Sequence, residues 1–429
     1  MDILQKMFDD LFNEEFSFPA MASRLAEKKL KEHGKTLNAR QRARLKRAFA
    51  EAEAEAETPS DKEAATITIT IPDSSILNRL AFFRRKPVEH IILNLAELDL
   101  DDVLNRLVDS IPSIIEQAGT ATAELILEEL IRVSPKMLAQ HHKELQQFHR
   151  VVRNSWARPL DLLETMIVLA LEAGDDFNSE FRESAASTND TVFEALTRLH
   201  ARACQVAGEV HALLSAGYAD GAHARWRSLH EINVVALFVA SRGNELAERY
   251  LLHVGVESHK AAKPYQTYAD RLGYEPLDEE ELKAISEVSA QLIARFGPDY
   301  ANDYGWASDA LANPRPTFAD IERAVDLQHL RPHYRMASHN VHANPRGALF
   351  RLGLYPGSED ILLAGPSTAG FADPGQGAAI SLGGITIALL TLRPNLDRVV
   401  MAQVFLRIVD MIGSEFLAAQ EANEKLPPA

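Results

Sequence analysis

Two runs, TVFEALTRLHARACQVAGEVHALLSAG at residues 191–217 and DGAHARWRSLHEINVVALFVAS at residues 220–241, decide the fold class. In both, apolar residues recur three and four apart, the period of a helix with one face on a core. Gly217 closes the first run and Gly243 follows the second. The Ser-Ala-Gly between them is the short turn of a helical hairpin, the building unit of a bundle. The second run ends apolar on every side, which marks a helix end enclosed by neighbours.

The same period extends outward in both directions. It is present in DDVLNRLVDSIPSIIEQA from Asp101, in TAELILEELIRVSPKMLAQHHKELQQF from Thr122 and in PLDLLETMIVLALEA from Pro159. Downstream, residues 244–273 read as one further helix. Two apolar helices near 378–392 and 396–420 finish the core, after a Gly/Pro-rich loop at 362–377. Only TITITIP, residues 66–72, alternates strictly as a strand does, and KPVEHIILNL at 86–95 is its best partner within the chain. The expected class is therefore mainly α, a carboxy-terminal helical bundle with a smaller α-rich amino-terminal region carrying one short strand or hairpin. No fixed-period repeat points to a solenoid.

Composition shifts suggest the divisions. Residues 1–65 read as a charged helical arm: ten Lys/Arg stand against two Glu between Arg24 and Arg47, and EAEAEAE then reverses the sign. Residues 66–173 form a helical region with the strand, GDDFNSEFRESAASTND at 174–190 is aperiodic and predicts a linker, and 191–425 is the bundle. The net charge of −16 opposes a protein that coats nucleic acid over its whole surface. Cys204 is the sole cysteine, which rules out an internal disulfide and favours a reducing, cytoplasmic setting. No uncharged run approaches the ~20 residues of a membrane span, so no membrane is expected.

The residues with chemistry to offer fall in three places. Arg227 and Glu231 are four apart, on the face that continues into the apolar end of their helix, beside His230. A carboxylate placed there needs a partner. Arg249 and His253 repeat the spacing in ERYLLH. The third place is RPHYRMASHNVHANPRG, residues 331–347. If residues 332–343 are helical, Arg335, His339 and His342 share one sector and Tyr334 and Ser338 the adjoining stripe. Cationic groups so crowded call for an anion, a metal or a carboxylate opposite them.

Taken in order, RSLHE, ERYLLH, HYRMASHNVHANPRG and LLAGPSTAGFADPG resemble an uncharacterised bacterial family known only as a domain of unknown function, across about 190–420. This resemblance implies a helical domain and no established reaction. Arg335 and His342 also make an Arg-x6-His pattern similar to that of the HEPN superfamily, helical bundles whose ribonuclease members act as dimers. Met336 departs from the polar residue that commonly follows the arginine there.

The leading expectation is a metal-independent endoribonuclease or related nucleic-acid-processing effector, with no cofactor. His342 or His339 would act as general acid or base, Arg335 would stabilise charge on phosphorus, and Glu231 would support them. Its partners would be RNA or another phosphate-bearing ligand and a second copy of the chain, in a homodimer formed through the bundle. Two alternatives stand beside it: a metal-dependent hydrolase or oxidase with Glu231, His339 and His342 as ligands, and a non-enzymatic binding or scaffold module.

Overall fold

Asp190 fixes the start of the central hairpin. Its side chain accepts the Phe193 backbone N–H at 3.0 Å, an N-cap that satisfies one of the donors a helix start leaves open. The structure is a computed structural model describing residues 2–32, 34, 36–55, 66–71, 89–94, 100–342, 345–358 and 360–425. It divides into two units, 1–141 and 142–429.

The first unit contains α1 (Asp2–Phe16), α2 (Phe18–Glu32), α3 (Ala39–Glu55) and the beginning of α4 (Leu100–Thr188). Ala22, Ala26 and Phe49 form its small core, with Phe18, Leu25 and Leu45 against them. Two extended segments, β1 (Thr66–Ile71) and β2 (Glu89–Asn94), run antiparallel with Thr66 opposite Asn94 and Ile71 opposite Glu89.

The described cores correct the expected class to all-helical. Every described side chain that builds a core comes from a helix or from the connections between helices. A two-stranded ladder by itself is marginal in water, and the described core is built without it.

The second unit is the bundle. α5 (Thr191–Ser215) turns at Gly217 into α6 (Ala219–Arg242). Gly217 has φ +87°, and a Cβ there would lie 2.5 Å from the Phe148 ring, so both conformation and space demand glycine. α14 (Ala372–Thr391) and α15 (Leu396–Glu424) complete the packing. One part of the interior gathers around Trp156, Trp226, Phe371, Phe405 and Phe416, the other around Phe177, Phe193, Phe238, Tyr300 and Trp306.

Two further expectations change. The stretch 174–190 is no linker: α4 continues through it to Thr188, with Phe177 and Ala185 buried in the second half of the core. Phe177, Phe181 and Ala185 recur at every fourth position, and the polar residues between them hide the period. The helix expected over 244–273 breaks at His253 into α7 (Asn244–Leu252) and α8 (Val254–Leu272). There the His253 ring N–H reaches the Tyr300 and Asn302 carbonyls, both at 3.0 Å.

Candidate functional site

After α9 (Glu279–Phe296) and the four-residue α10 (Ser308–Leu311), two short helices lie on α6: α11 (Phe318–Ala324) and α12 (Arg331–Val341). The Thr317 capping box, reciprocated by Asp320, starts α11, and Pro332 sits in the first turn of α12, where its missing N–H costs nothing. α6 and the two short helices, far from it in the chain, thus present polar side chains to one another.

The Arg227 Nε donates to Glu231 Oε1 at 3.1 Å, and the Tyr334 hydroxyl donates a short hydrogen bond to the same carboxylate oxygen. The Tyr334 ring lies against two guanidinium groups, with Arg227 4.8 Å and Arg331 5.2 Å from its centroid. Such contacts are favourable because the ring face carries negative charge density. Burial, followed by the Glu231 carboxylate, pushes the Tyr334 hydroxyl well above its ordinary range, with Arg227 opposing. Tyr334 is therefore a neutral donor at any physiological pH. For Arg227, burial favours loss of the proton, but Tyr334 and Glu231 outweigh it and the net shift is upward.

Beneath this pair lies a second carboxylate. Glu322 is wholly buried, with His230 Nε2 2.9 Å from Oε1 and Arg331 Nε 2.6 Å from Oε2. Phe318 closes over them, its ring 6.0 Å from His230 and 5.1 Å from Tyr334. Burial lowers the His230 pKa, against the raising effect of Glu322, so the ring is neutral near pH 7 and donates from Nε2. Arg331 then supplies the positive charge that Glu322 requires. His230 Nδ1, Arg331 Nη2 and Glu322 Oε2 are buried without a hydrogen-bond partner among the described residues, so Arg331 meets Glu322 as an ion pair.

The other side of α12 has a different character. Tyr334 and Ala337 are buried, but Arg335 is exposed. Ser338 donates to the Tyr334 carbonyl at 2.8 Å, a bond within its own helix. His339 is half-buried. The helix ends at Val341, and His342 is an exposed, extended residue beyond it, so the expected helical sector of Arg335, His339 and His342 is not formed. α13 (Pro345–Leu349) meets the end of α12 so closely that a Cβ on Gly347 would fall 2.1 Å from the His339 carbonyl oxygen. Arg346, four positions after His342, is exposed as well.

Arg249 and His253 join neither group. The Arg249 guanidinium reaches the Trp306 carbonyl at 3.3 Å and lies over Phe296 and Tyr300, while His253 holds the carbonyls of Tyr300 and Asn302. Together they pin the 3-10 turns at Pro298–Ala301 and Gly305–Ala307. The ligand set Glu231, His339 and His342 is not assembled either. Among the described residues no group of three or more His, Cys, Asp or Glu is placed to hold a metal ion.

Sequence reasoning reached Arg227, His230, Glu231 and Tyr334 but missed Glu322 and Arg331. Glu322 stands in FADIERA, where nothing distinguishes it from a solvated acid on a short helix.

The fold and the site define an all-helical protein whose bundle encloses a node of carboxylates, guanidinium groups and aromatic rings. Residues 193–357, well under half of the chain, match the model of a family of unknown function, DUF5677. That span runs from the start of α5 past α13 and holds every member of the node. No curated protein and no solved structure matches the chain.

Proposed function

We propose that this chain is a nucleic-acid-processing effector that engages the phosphodiester backbone of RNA through the outward side of α12 and the residues that follow it. One observation carries the reading: residues 327–358 contain no Asp or Glu, in a chain whose net charge is −16. Arg335, His342 and Arg346 in this stretch are exposed. A local cationic surface on an acidic protein attracts polyanions at that surface and repels them elsewhere. Arg335 neutralises a phosphate in this scheme, and His342, free of the helix, is the acid-base group that cleavage would require.

The test is binding of a single-stranded polyribonucleotide across a salt series. Affinity should fall steeply with salt, and Arg335→Ala should reduce the logarithmic slope by about one unit, as for one lost phosphate contact. Binding that is absent, or indifferent to salt, would sink the proposal. Binding without cleavage, unchanged by His342→Ala, would remove the processing step and leave recognition.

A second reading, a non-enzymatic binding or scaffold module, is favoured by a specific observation. Arg227, Glu231 and Tyr334 spend their polar groups on each other. Glu231 is thus a partner within the node and is withdrawn from the proposed chemistry.

A further inference from the structure

The last turn of α15 carries an amide with an open donor. Asn423 is 7% exposed, and its Nδ2 is buried without a hydrogen bond to any described residue. Such a group is costly unless a ligand or a water completes it. Asn423 lines a cavity of about 370 Å³ that the end of α15 shares with residues 349–356 and the start of α14. That volume lies at the lower end of the range of small-molecule sites. The floor is fixed by contacts of its own. Trp156 stacks on Phe371 at 4.7 Å, its Nε1 donates to the Thr368 carbonyl at 2.9 Å, and the Tyr355 and Thr368 hydroxyls bond each other at 2.7 Å. Half-buried Leu352 and Leu354 and the exposed Phe350 make the walls largely apolar.

The polar groups of the lining divide into engaged and open ones. The Gln420 amide donates to Glu424 at 3.0 Å. Arg351, Asp373 and the Asn423 Nδ2 have no side-chain partner among the described residues, and Arg351 and Asp373 do not pair with each other. Arg351 is half-buried, so its charge is only partly met by water. A phosphate in the cavity would be repelled by Asp373 and Glu424, and a plain hydrocarbon would leave Arg351 and Asn423 open. A small molecule that is apolar at one end and carries both charges at the other satisfies all three groups. We propose that this cavity binds a free α-amino acid with an apolar or aromatic side chain. Arg351 takes the carboxylate, to which a guanidinium presents two parallel donors, and the Asn423 amide adds a third. Asp373 takes the ammonium group, and the side chain lies along the apolar walls. The site uses none of the residues assigned to RNA, and it stands whether or not the chain binds RNA.

The full chain is titrated calorimetrically with L-phenylalanine, L-leucine and L-methionine, and with two analogues of the first: phenylalaninamide, which lacks the carboxylate, and phenylpropionate, which lacks the amine. At least one amino acid should bind saturably, and phenylalanine should bind more tightly than either analogue. Arg351→Gln should weaken phenylalanine by at least about tenfold without weakening phenylalaninamide. Asp373→Asn should do the same for phenylalanine without weakening phenylpropionate. Asn423→Leu, close in size, should weaken binding and keep the melting temperature at or above that of the parent, because it removes an amide that the unliganded fold leaves unpaired. Saturable binding of none of the three amino acids overturns the proposal, as does an analogue that binds as tightly as phenylalanine or parental binding by the Asn423→Leu chain. Adenosine binding in preference to every amino acid would make this a nucleoside site and overturn it as well.

Discussion

The two sides of α12 are made from one short sequence and have opposite fates. Inward, Tyr334 and the Arg331 at its base are held by aromatic rings, two carboxylates and a neutral histidine. Outward, Arg335 faces solvent. Arginine and histidine appear on both sides, so residue type does not separate them. What separates them is whether a carboxylate from another element lies opposite. Where Glu322 and Glu231 do, the charge is absorbed into the fold; where none does, it remains free to meet a ligand. Variants on the two sides should therefore act on different quantities.

The largest effect is expected at Glu322. Replacing it with alanine leaves Arg331 and His230 facing a buried gap, and loss of one partner of such a group costs about 3–5 kcal/mol. Urea unfolding of Glu322→Ala against the parent measures this, and Glu322→Gln should fall between them. A loss below about 1 kcal/mol would mean that the node carries little of the fold and would break the comparison.

Interior histidines give the next effect. Burial lowers His200 from 6.5 to about 4, and burial together with the facing His333 does the same for His223. Between those values the unfolded chain binds protons that the folded chain does not. Their contribution, on the order of 3 kcal/mol each, is full above pH 6.5 and is lost as pH falls towards 4. Unfolding midpoints measured across this window should drop, and His200→Gln, which can keep a bond to the Thr386 hydroxyl, should flatten the decline. An equally steep fall in that variant would exclude His200 as a source.

Tyr334→Phe keeps the ring between its guanidinium groups and deletes only the hydroxyl, so it isolates the bond to Glu231. Hydrogen bonds to charged groups contribute about 1.5–3 kcal/mol, and a loss in that range is expected in thermal or urea melts. An unchanged stability would show that solvent replaces the hydroxyl at no cost.

The smallest effect on stability belongs to the outward side. Arg335→Ala and His342→Ala should stay within about 0.5 kcal/mol of the parent, as surface changes do. The same variants should alter polyribonucleotide binding or cleavage. If either destabilised the chain strongly, the outward side would share the structural role of the inward one.

Helices were legible in the sequence because their signals are local. The period of 191–217 and 220–241, the turn at Gly217 and the i, i+4 relation of Arg227 and Glu231 all involve residues within a few positions of each other. The same locality explains the misses. At 174–188 Phe177, Phe181 and Ala185 pack on the core, too sparse a signal to outweigh twelve mostly polar neighbours. The break at His253 depends on carbonyls nearly fifty residues away.

The sequence by itself determined that this chain is helical, where its main hairpin turns and which residues carry charge. Tertiary structure alone decided what each charge does. Arg331 and Arg335 are four positions apart on one helix, yet α11 brings the buried Glu322 to the first and nothing comparable to the second. Burial and pairing are set by elements that meet across the fold, and the free energy of a charge depends on them far more than on its neighbours in the chain.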